Sequence, residues 1–110
     1  AGIGIWIQEI DNNSLWWSAQ TCRIFGMEPH SKKMNFNDFL KMVIPEYREA
    51  ILEKTQQSLL SDKTLYNIDY KIIKKDNTYC FVHEEAIIER DSNENPTRMI
   101  GIIQDITERK

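Results

Sequence analysis

The sequence predicts an α+β domain in which helices pack on one face of an antiparallel sheet. Strand-like and helix-like segments are segregated along the chain: two strands come first, then short helices and one longer helix, and then three strands. Turn-forming residues separate neighbouring strands, as at residues 11–14 and 76–77, and they indicate hairpin connections. We therefore expect a sheet of five antiparallel strands.

The first part of the chain predicts a hairpin followed by a short helix. Residues 3–10 are rich in β-branched and aromatic side chains, and residues 15–17 form a second apolar run. Ser18 suits the N-cap of a helix that ends near Phe25, and Gly26 suits the position that follows a helix.

The middle of the chain predicts two more helices. Residues 28–35 are polar and contain a proline, which indicates a loop with at most one helical turn. Asn35 or Asn37 could cap a short helix, whose apolar side chains recur at helical spacing: Phe36, Phe39, Leu40 and Val43. Pro45 suits the first turn of the longest helix, which we expect to end near Leu60.

The last part of the chain predicts three strands, over residues 66–73, 80–88 and 99–106. Asp105 and Thr107 are residue types that begin helices, so the last strand is expected to pass directly into a helix. Residues 1–110 are thus expected to be a single domain taken from a longer, multidomain chain.

Composition excludes several partners and locations. The chain has 110 residues and a net charge of −3, with no basic surface that would attract nucleic acid. Its two cysteines, Cys22 and Cys80, form no disulfide framework, so we expect reduced thiols in the cytoplasm. No apolar run is long enough to cross a bilayer, so this segment is not expected to insert into a membrane, although a parent protein could be anchored to one.

The chain shows no arrangement typical of an enzyme or of a metal site. Glu84 and Glu85 are adjacent on a strand and so point to opposite faces, which prevents them from acting as a carboxylate pair. We found no nucleophile with a base and no phosphate-binding glycine loop. His30 and His83 are the only histidines, and neither has metal-ligand spacing to a cysteine or carboxylate. We expect no catalytic residue and no metal.

Seven segments in fixed order resemble the PAS domain, of the subgroup common in bacterial sensor kinases and cyclic-di-nucleotide enzymes. The resemblance covers the whole chain and is carried by Trp6, Trp17-Ser18, residues 23–27, residues 36–39, residues 44–48, residues 70–76 and residues 101–110. Two positions depart from the family pattern. Ile44 stands where the family usually has histidine, and Asn77 stands where the hairpin turn usually has glycine.

The resemblance leaves the cofactor open but disfavours two candidates. Haem-binding relatives use a histidine on the long helix, and residues 45–60 contain none. Photosensory relatives bond a flavin through a Cys-Arg-Phe-Leu run, which residues 22–25 resemble only in part and on the first helix, where the flavin cysteine does not lie. Neither haem held in that way nor a covalent flavin is expected.

The resemblance also implies a small-molecule pocket between the sheet and the helices. The ligand-pocket candidates are Gln8, Tyr66, Ile68, Tyr70, Ile72, Val82, Glu84, Met99 and Ile103. Our hypothesis is that Glu84 helps to bind a ligand, with Gln8, Tyr66 or Tyr70. The alternative is that Glu84 pairs with an internal arginine or reaches solvent at the sheet edge.

The resemblance also implies that residues near the end of the chain transmit the signal. In the family, residues matching Asp105 and Thr107 fix the angle of the helix that leads to an effector, here a histidine kinase or a cyclic-di-GMP enzyme beyond Lys110. The resemblance therefore implies a sensory or signal-transfer module that binds a small ligand or a partner.

The opposite sheet face is expected to be apolar, through Ile3, Ile5, Ile7, Phe81 and Ile87. Either a second copy, giving a homodimer, or a helix preceding Ile3 would bury the same patch. A second function fits this face: a ligand-free dimerisation module, whose core is simply full.

Overall fold

The computed structural model describes residues 2–29, 33–61 and 65–109. Six antiparallel strands form one sheet in the order β3-β2-β1-β6-β5-β4. The strands are β1 (Ile3–Glu9), β2 (Ser14–Trp17), β3 (Met34–Asn35), β4 (Leu65–Ile73), β5 (Tyr79–Arg90) and β6 (Pro96–Asp105). The helices are α1 (Ala19–Ile24), α2 (Phe36–Met42) and α3 (Pro45–Leu60), and a 3₁₀ turn spans Thr107–Arg109.

The predicted α+β architecture is confirmed, but the sheet has six strands where five were expected. The additional strand, β3, has two residues and lies within the predicted loop over residues 28–35. It pairs only with β2, through Ser14 opposite Asn35 and Leu15 opposite Met34. A two-residue segment has no alternation to detect, so only its tertiary pairing defines it. His30, in the same loop, lies outside the described residues.

The predicted helix starts are confirmed. The Ser18 side chain accepts a hydrogen bond from the Thr21 amide at 3.4 Å. Asn35 and Asp38 form a reciprocal capping box at the start of α2. Pro45 occupies the first turn of α3, where a missing N–H costs no hydrogen bond.

The sheet separates two environments, which we call the inner face and the outer face. Alternate residues of β4, β5 and β6 are buried against the helices, as the sequence predicted. The inner face includes Tyr66, Tyr70, Val82 and Ile103, all at most 3% exposed. The outer face is formed by the residues between them.

Gly101 permits close packing against Trp6 on the inner face. A Cβ atom there would collide with the Trp6 ring and would lie 2.6 Å from the Glu85 carbonyl oxygen. Trp6 also donates its indole N–H to the Ile102 carbonyl at 3.3 Å. The glycine therefore lets the indole lie flat across the centre of the sheet.

Arg90, at the end of β5, holds the C-terminal end of α3. Its guanidinium donates to the Ser58 carbonyl at 3.2 Å and to the Ser61 carbonyl at 2.8 Å, and also reaches Leu59. The last turn of a helix leaves carbonyls without intrahelical partners, so a cation there satisfies them. This arginine fixes α3 against the sheet, although α3 is only weakly amphipathic in sequence.

Only a short turn of the helix expected after the last strand falls within the described residues. β6 ends at Asp105, and residues Thr107–Arg109 form a 3₁₀ turn. Lys110 lies outside the described residues. Within the described ranges, no helix is both long enough and apolar enough to span a membrane.

Candidate ligand site and signalling junction

An interior cavity lies between the inner face and the helices. Its volume is about 20 Å³, which is room for about one water-sized group. The lining side chains come from every layer: Trp6, Gln8, Leu15, Trp17, Thr21, Phe25, Phe36, Phe39, Ile51, Thr55, Tyr66, Glu84, Met99 and Ile103. The cavity is therefore small, mostly apolar and closed on several sides by large side chains.

Glu84 is the one charged residue among the described side chains that line this cavity. It projects from β5 and is 6% exposed. The Tyr70 hydroxyl donates to Glu84 Oε2 at 2.8 Å. Burial raises the pKa of Glu84 to about 7, which the Tyr70 hydrogen bond and the charge of His83 partly oppose. Near neutral pH, this carboxyl group can therefore gain or lose its proton.

Two further polar groups lie beside Glu84. Gln8, from β1, is 6% exposed and lines the cavity. Burial and the nearby Glu84 carboxylate raise the pKa of Tyr66, while the Thr55 side chain has the opposite effect. Burial, with Glu84 next, likewise raises the pKa of Tyr70. Both phenols therefore stay protonated and available as hydrogen-bond donors.

The structure brings five of the nine predicted pocket residues together around the cavity: Gln8, Tyr66, Glu84, Met99 and Ile103. The other four, Ile68, Tyr70, Ile72 and Val82, do not line it. Tyr70 reaches it only through its hydrogen bond to Glu84. Ile72 and Val82 are fully buried in the neighbouring core, and Ile68 lies at the core edge. The inner face is larger than the cavity, so facing the helices does not ensure contact with it.

Sequence reasoning missed nine lining residues: Trp6, Leu15, Trp17, Thr21, Phe25, Phe36, Phe39, Ile51 and Thr55. Eight of them lie on β2 and the three helices or follow them directly, and their approach to the sheet is a tertiary feature. Trp6 could have been found, because it shares strand parity with Gln8. The arginine alternative for Glu84 is wrong in the described structure, where its hydrogen-bond donor is Tyr70.

Asp105 and Thr107 form a compact hydrogen-bonded junction at the end of β6. The Thr107 amide donates to Asp105 Oδ1 at 2.9 Å, and the Thr107 hydroxyl approaches the same oxygen at 2.6 Å. The Phe81 amide donates to Thr107 Oγ1 at 3.0 Å, and the Ile106 amide donates to the Phe81 carbonyl at 2.8 Å. These bonds fasten the end of the described chain to the beginning of β5.

The outer face carries a patch of exposed apolar side chains. Ile3, Ile5 and Ile87 are each about half exposed, at 53%, 45% and 51%. Ile7 and Phe81, also predicted there, are partly buried. Ile102, which was not predicted, adds to the patch between β1 and β5, where it pairs with Ile5.

His83 forms a polar cluster with two carboxylates on the outer face. Its ring nitrogens contact Asp69 Oδ1 at 2.5 Å and Glu85 Oε2 at 2.8 Å. The hydrogen bonds with Glu85 and Asp69 raise the pKa of His83. Among the described residues, no group of three or more histidine, cysteine or acidic side chains is arranged to hold a metal ion.

Both cysteines are buried away from the cavity lining. Cys22 lies on α1, and Cys80 lies at the start of β5 beside Thr107, whose hydroxyl is 3.4 Å from Cys80 Sγ. Burial raises the pKa of the Cys80 thiol. Neither thiol is therefore placed to bond a molecule inside the cavity.

Comparison with known proteins identifies the fold and the family. Residues 14–103 match a family described as PAS fold. The chain is 31% identical over 112 residues to the blue-light-activated histidine kinase of Brucella ovis, matching all of this chain but 21% of the kinase. It thus spans about a fifth of the length of that relative.

Two solved structures share the architecture at low sequence identity. A sensory box histidine kinase/response regulator from Burkholderia thailandensis has a TM-score of 0.84 at 21% identity, covering 97% of this chain and 79% of that one. The N-terminal domain of a diguanylate cyclase with a PAS/PAC sensor from Marinobacter aquaeolei has a TM-score of 0.87 at 17% identity, covering 98% of both chains. The match over residues 14–103 shows that this chain belongs to the PAS family.

Proposed function

We propose that this domain is a sensory or signal-transfer module, which binds a small ligand in the interior cavity and passes the change through the Asp105–Thr107 junction to an effector. A single observation carries the proposal: β5 contains both ends of the route. Glu84 faces the cavity from β5, and Phe81, three residues earlier on the same strand, is bonded to Thr107.

The route needs only a small shift of one strand. A ligand that binds differently to two positions of β5 changes the population of those positions. The Phe81 amide and carbonyl would carry such a shift directly to Thr107 and Ile106. Such couplings between sites are typically worth about 1–3 kcal/mol.

The relatives support the type of effector. The matched Brucella protein is a histidine kinase, and the similar structures come from a histidine kinase and a diguanylate cyclase. We propose a histidine kinase or a cyclic-di-GMP enzyme as the effector, in the cytoplasm, where Cys22 and Cys80 stay reduced. The domain itself is proposed to be non-catalytic. Because neither cysteine lines the cavity, the proposal includes no covalently bound flavin.

The route can be tested at its junction end. In the full-length protein, Asp105→Ala removes the acceptor of both Thr107 bonds, and Thr107→Val removes the hydroxyl that Phe81 contacts. Both variants should leave the fold intact and make effector activity unresponsive to the stimulus. Glu108→Gln, in the same turn, is the control and should respond normally. Normal regulation in the Asp105→Ala variant would refute the role of the junction.

A second function, a ligand-free dimerisation module, is favoured by the small volume of the cavity and by the exposed outer face. Here the outer face would pair with a second copy, as the proposed homodimer requires. Native mass spectrometry distinguishes the two functions: a co-purifying small molecule supports the sensor, whereas an empty dimer supports the scaffold. Ile5→Asp should dissociate a dimer formed through this face, and an unchanged dimer would place the interface elsewhere.

A further inference from the structure

The lining of the interior cavity combines one buried carboxyl group with an unusual density of aromatic rings. Among the described lining residues, Glu84 alone can carry a charge at neutral pH, because both tyrosine hydroxyls stay protonated. A buried carboxylate is costly without a cationic or hydrogen-bonding partner. The cavity therefore favours a positively charged occupant over a neutral or an anionic one.

The rings strengthen this preference. Six aromatic residues line the cavity: Trp6, Trp17, Phe25, Phe36, Phe39 and Tyr66. Several of them contact one another, with centroid distances of 4.3 Å for Trp17 and Phe25 and 6.1 Å for Phe25 and Phe39. Aromatic rings attract cations, and the attraction is stronger where water is excluded.

Hydrogen-bonding capacity at the cavity is only partly used. Within the described ranges, Glu84 Oε2 accepts the Tyr70 hydroxyl, but no donor reaches Glu84 Oε1. Gln8 is 6% exposed and lines the same cavity, so its side-chain amide is also available to an occupant. An occupant with several N–H donors could satisfy both the free carboxylate oxygen and the amide oxygen of Gln8.

The volume limits the size of the occupant. About 20 Å³ admits one water-sized group, and an ammonium ion is close to water in size. We propose that the cavity binds a small ammonium-type cation, ammonium itself or methylammonium, through Glu84 and the aromatic lining. This inference rests on the proposed function, because it names the class of ligand that the sensory site takes.

The affinity should depend on pH in a defined direction. The titratable groups near Glu84 are Tyr70 and Tyr66 on β4 and His83 on the outer face of β5. The helices contribute only uncharged side chains to the lining. With a pKa of about 7, Glu84 must lose its proton before it can pair with a cation. Only the ionised fraction binds, so the apparent affinity should fall about tenfold from pH 8 to pH 6.

The test is a two-dimensional NMR titration of the domain with ammonium chloride, at constant ionic strength set with potassium chloride. We expect saturable shifts of the Trp6 indole and Gln8 amide signals with ammonium, weaker binding of methylammonium, and none of tetramethylammonium. Glu84→Gln should weaken ammonium binding at pH 8 at least tenfold. Glu85→Gln, one residue away on the outer face, is the matched control and should change it less than twofold.

Several results would overturn the inference. They are an equal response to potassium chloride alone, unchanged ammonium affinity in Glu84→Gln, and pH-independent affinity in the unaltered protein. The last of these does not depend on the folding of any variant. If methanol shifts the same signals and ammonium does not, the cationic class is wrong while the sensory site stands. If no probe binds and the Asp105→Ala test is also negative, the inference and the proposed function both fail.

Discussion

Glu84 and Glu85 are adjacent on β5, yet the two faces of the sheet give them different chemistry. Glu84, on the inner face, is buried beside Tyr70, and its pKa rises to about 7. The Glu85 side chain, on the outer face, is 52% exposed and contacts His83 in an open ion pair. Two identical side chains thus differ because strand alternation sends one into a cavity and the other into solvent.

Packing on the inner face is sensitive to the gain or loss of a single atom, whereas the outer face is available to partners. On the inner face, an added methyl group, a removed hydroxyl or a proton changes a closely packed environment. On the outer face, similar changes have smaller effects, because solvent water can accommodate them.

Gly101→Ala should be the most damaging of these changes. Its Cβ would collide with the Trp6 ring and approach the Glu85 carbonyl, so we expect a loss of about 3 kcal/mol in the free energy of unfolding. Urea denaturation provides the measurement. Ile102→Ala, at the next position and on the outer face, should cost only about 1 kcal/mol. Equal losses in the two variants would contradict the distinction between the faces.

The free energy of unfolding should change with pH because of the protonation of Glu84. Its pKa is about 7 in the folded state and 4.5 as the reference for the unfolded state, so the folded state holds the proton more tightly. The resulting stabilisation is complete below pH 4.5 and is lost as the pH rises to about 7. At about 1.36 kcal/mol per pKa unit, the loss is about 3 kcal/mol.

The group that causes this loss of stability can be identified by urea denaturation between pH 5 and pH 6.5. Glu84→Gln should abolish the decline, and Glu85→Gln should retain it. His83 has a raised pKa, so its stabilisation is present below pH 6.5 and is lost at higher pH, outside this window. A decline that persists in Glu84→Gln would show that another group causes it.

Tyr70→Phe should have a moderate effect. It removes the only described donor to Glu84 Oε2 without changing the shape of the ring, and should cost about 1–2 kcal/mol at pH 8, where Glu84 is ionised. The pKa of Glu84 should rise further, which a ¹³C-detected carboxyl titration can follow. A lowered or unchanged pKa would mean that Tyr70 does not stabilise the ionised form.

Glu85→Gln should have the smallest effect. It removes one of the two carboxylates that contact His83, in an exposed pair, and should change the free energy of unfolding by about 0.5 kcal/mol or less. The pKa of His83 should move down towards its ordinary value, because the Glu85 hydrogen bond is the largest cause of its rise. An NMR titration of the imidazole measures this shift, and a larger stability loss would indicate that the outer face is covered.

Much of the fold could be predicted because its signals are local. Ser18, Asn35 and Pro45 mark helix starts through their own side-chain chemistry. Asn77, in the β4–β5 turn, adopts the positive φ of 70° that asparagine tolerates. The strand β3 escaped prediction because two residues show no periodicity. The 3₁₀ turn after Asp105 is held by tertiary contacts that the sequence did not reveal, since the Thr107 hydroxyl contacts Asp105 and accepts a hydrogen bond from the Phe81 amide.

The sequence indicates which side chains share a face of the sheet, because alternation along a strand is a property of the backbone. Tertiary packing decides which of them enclose the cavity, because the lining combines residues from five strands, three helices and the residue that follows α1. It also decided the partner of Glu84, where the register of β4 and β5 brings Tyr70 close enough to donate. Pairing and packing depend on contacts between distant parts of the chain, which local patterns do not contain.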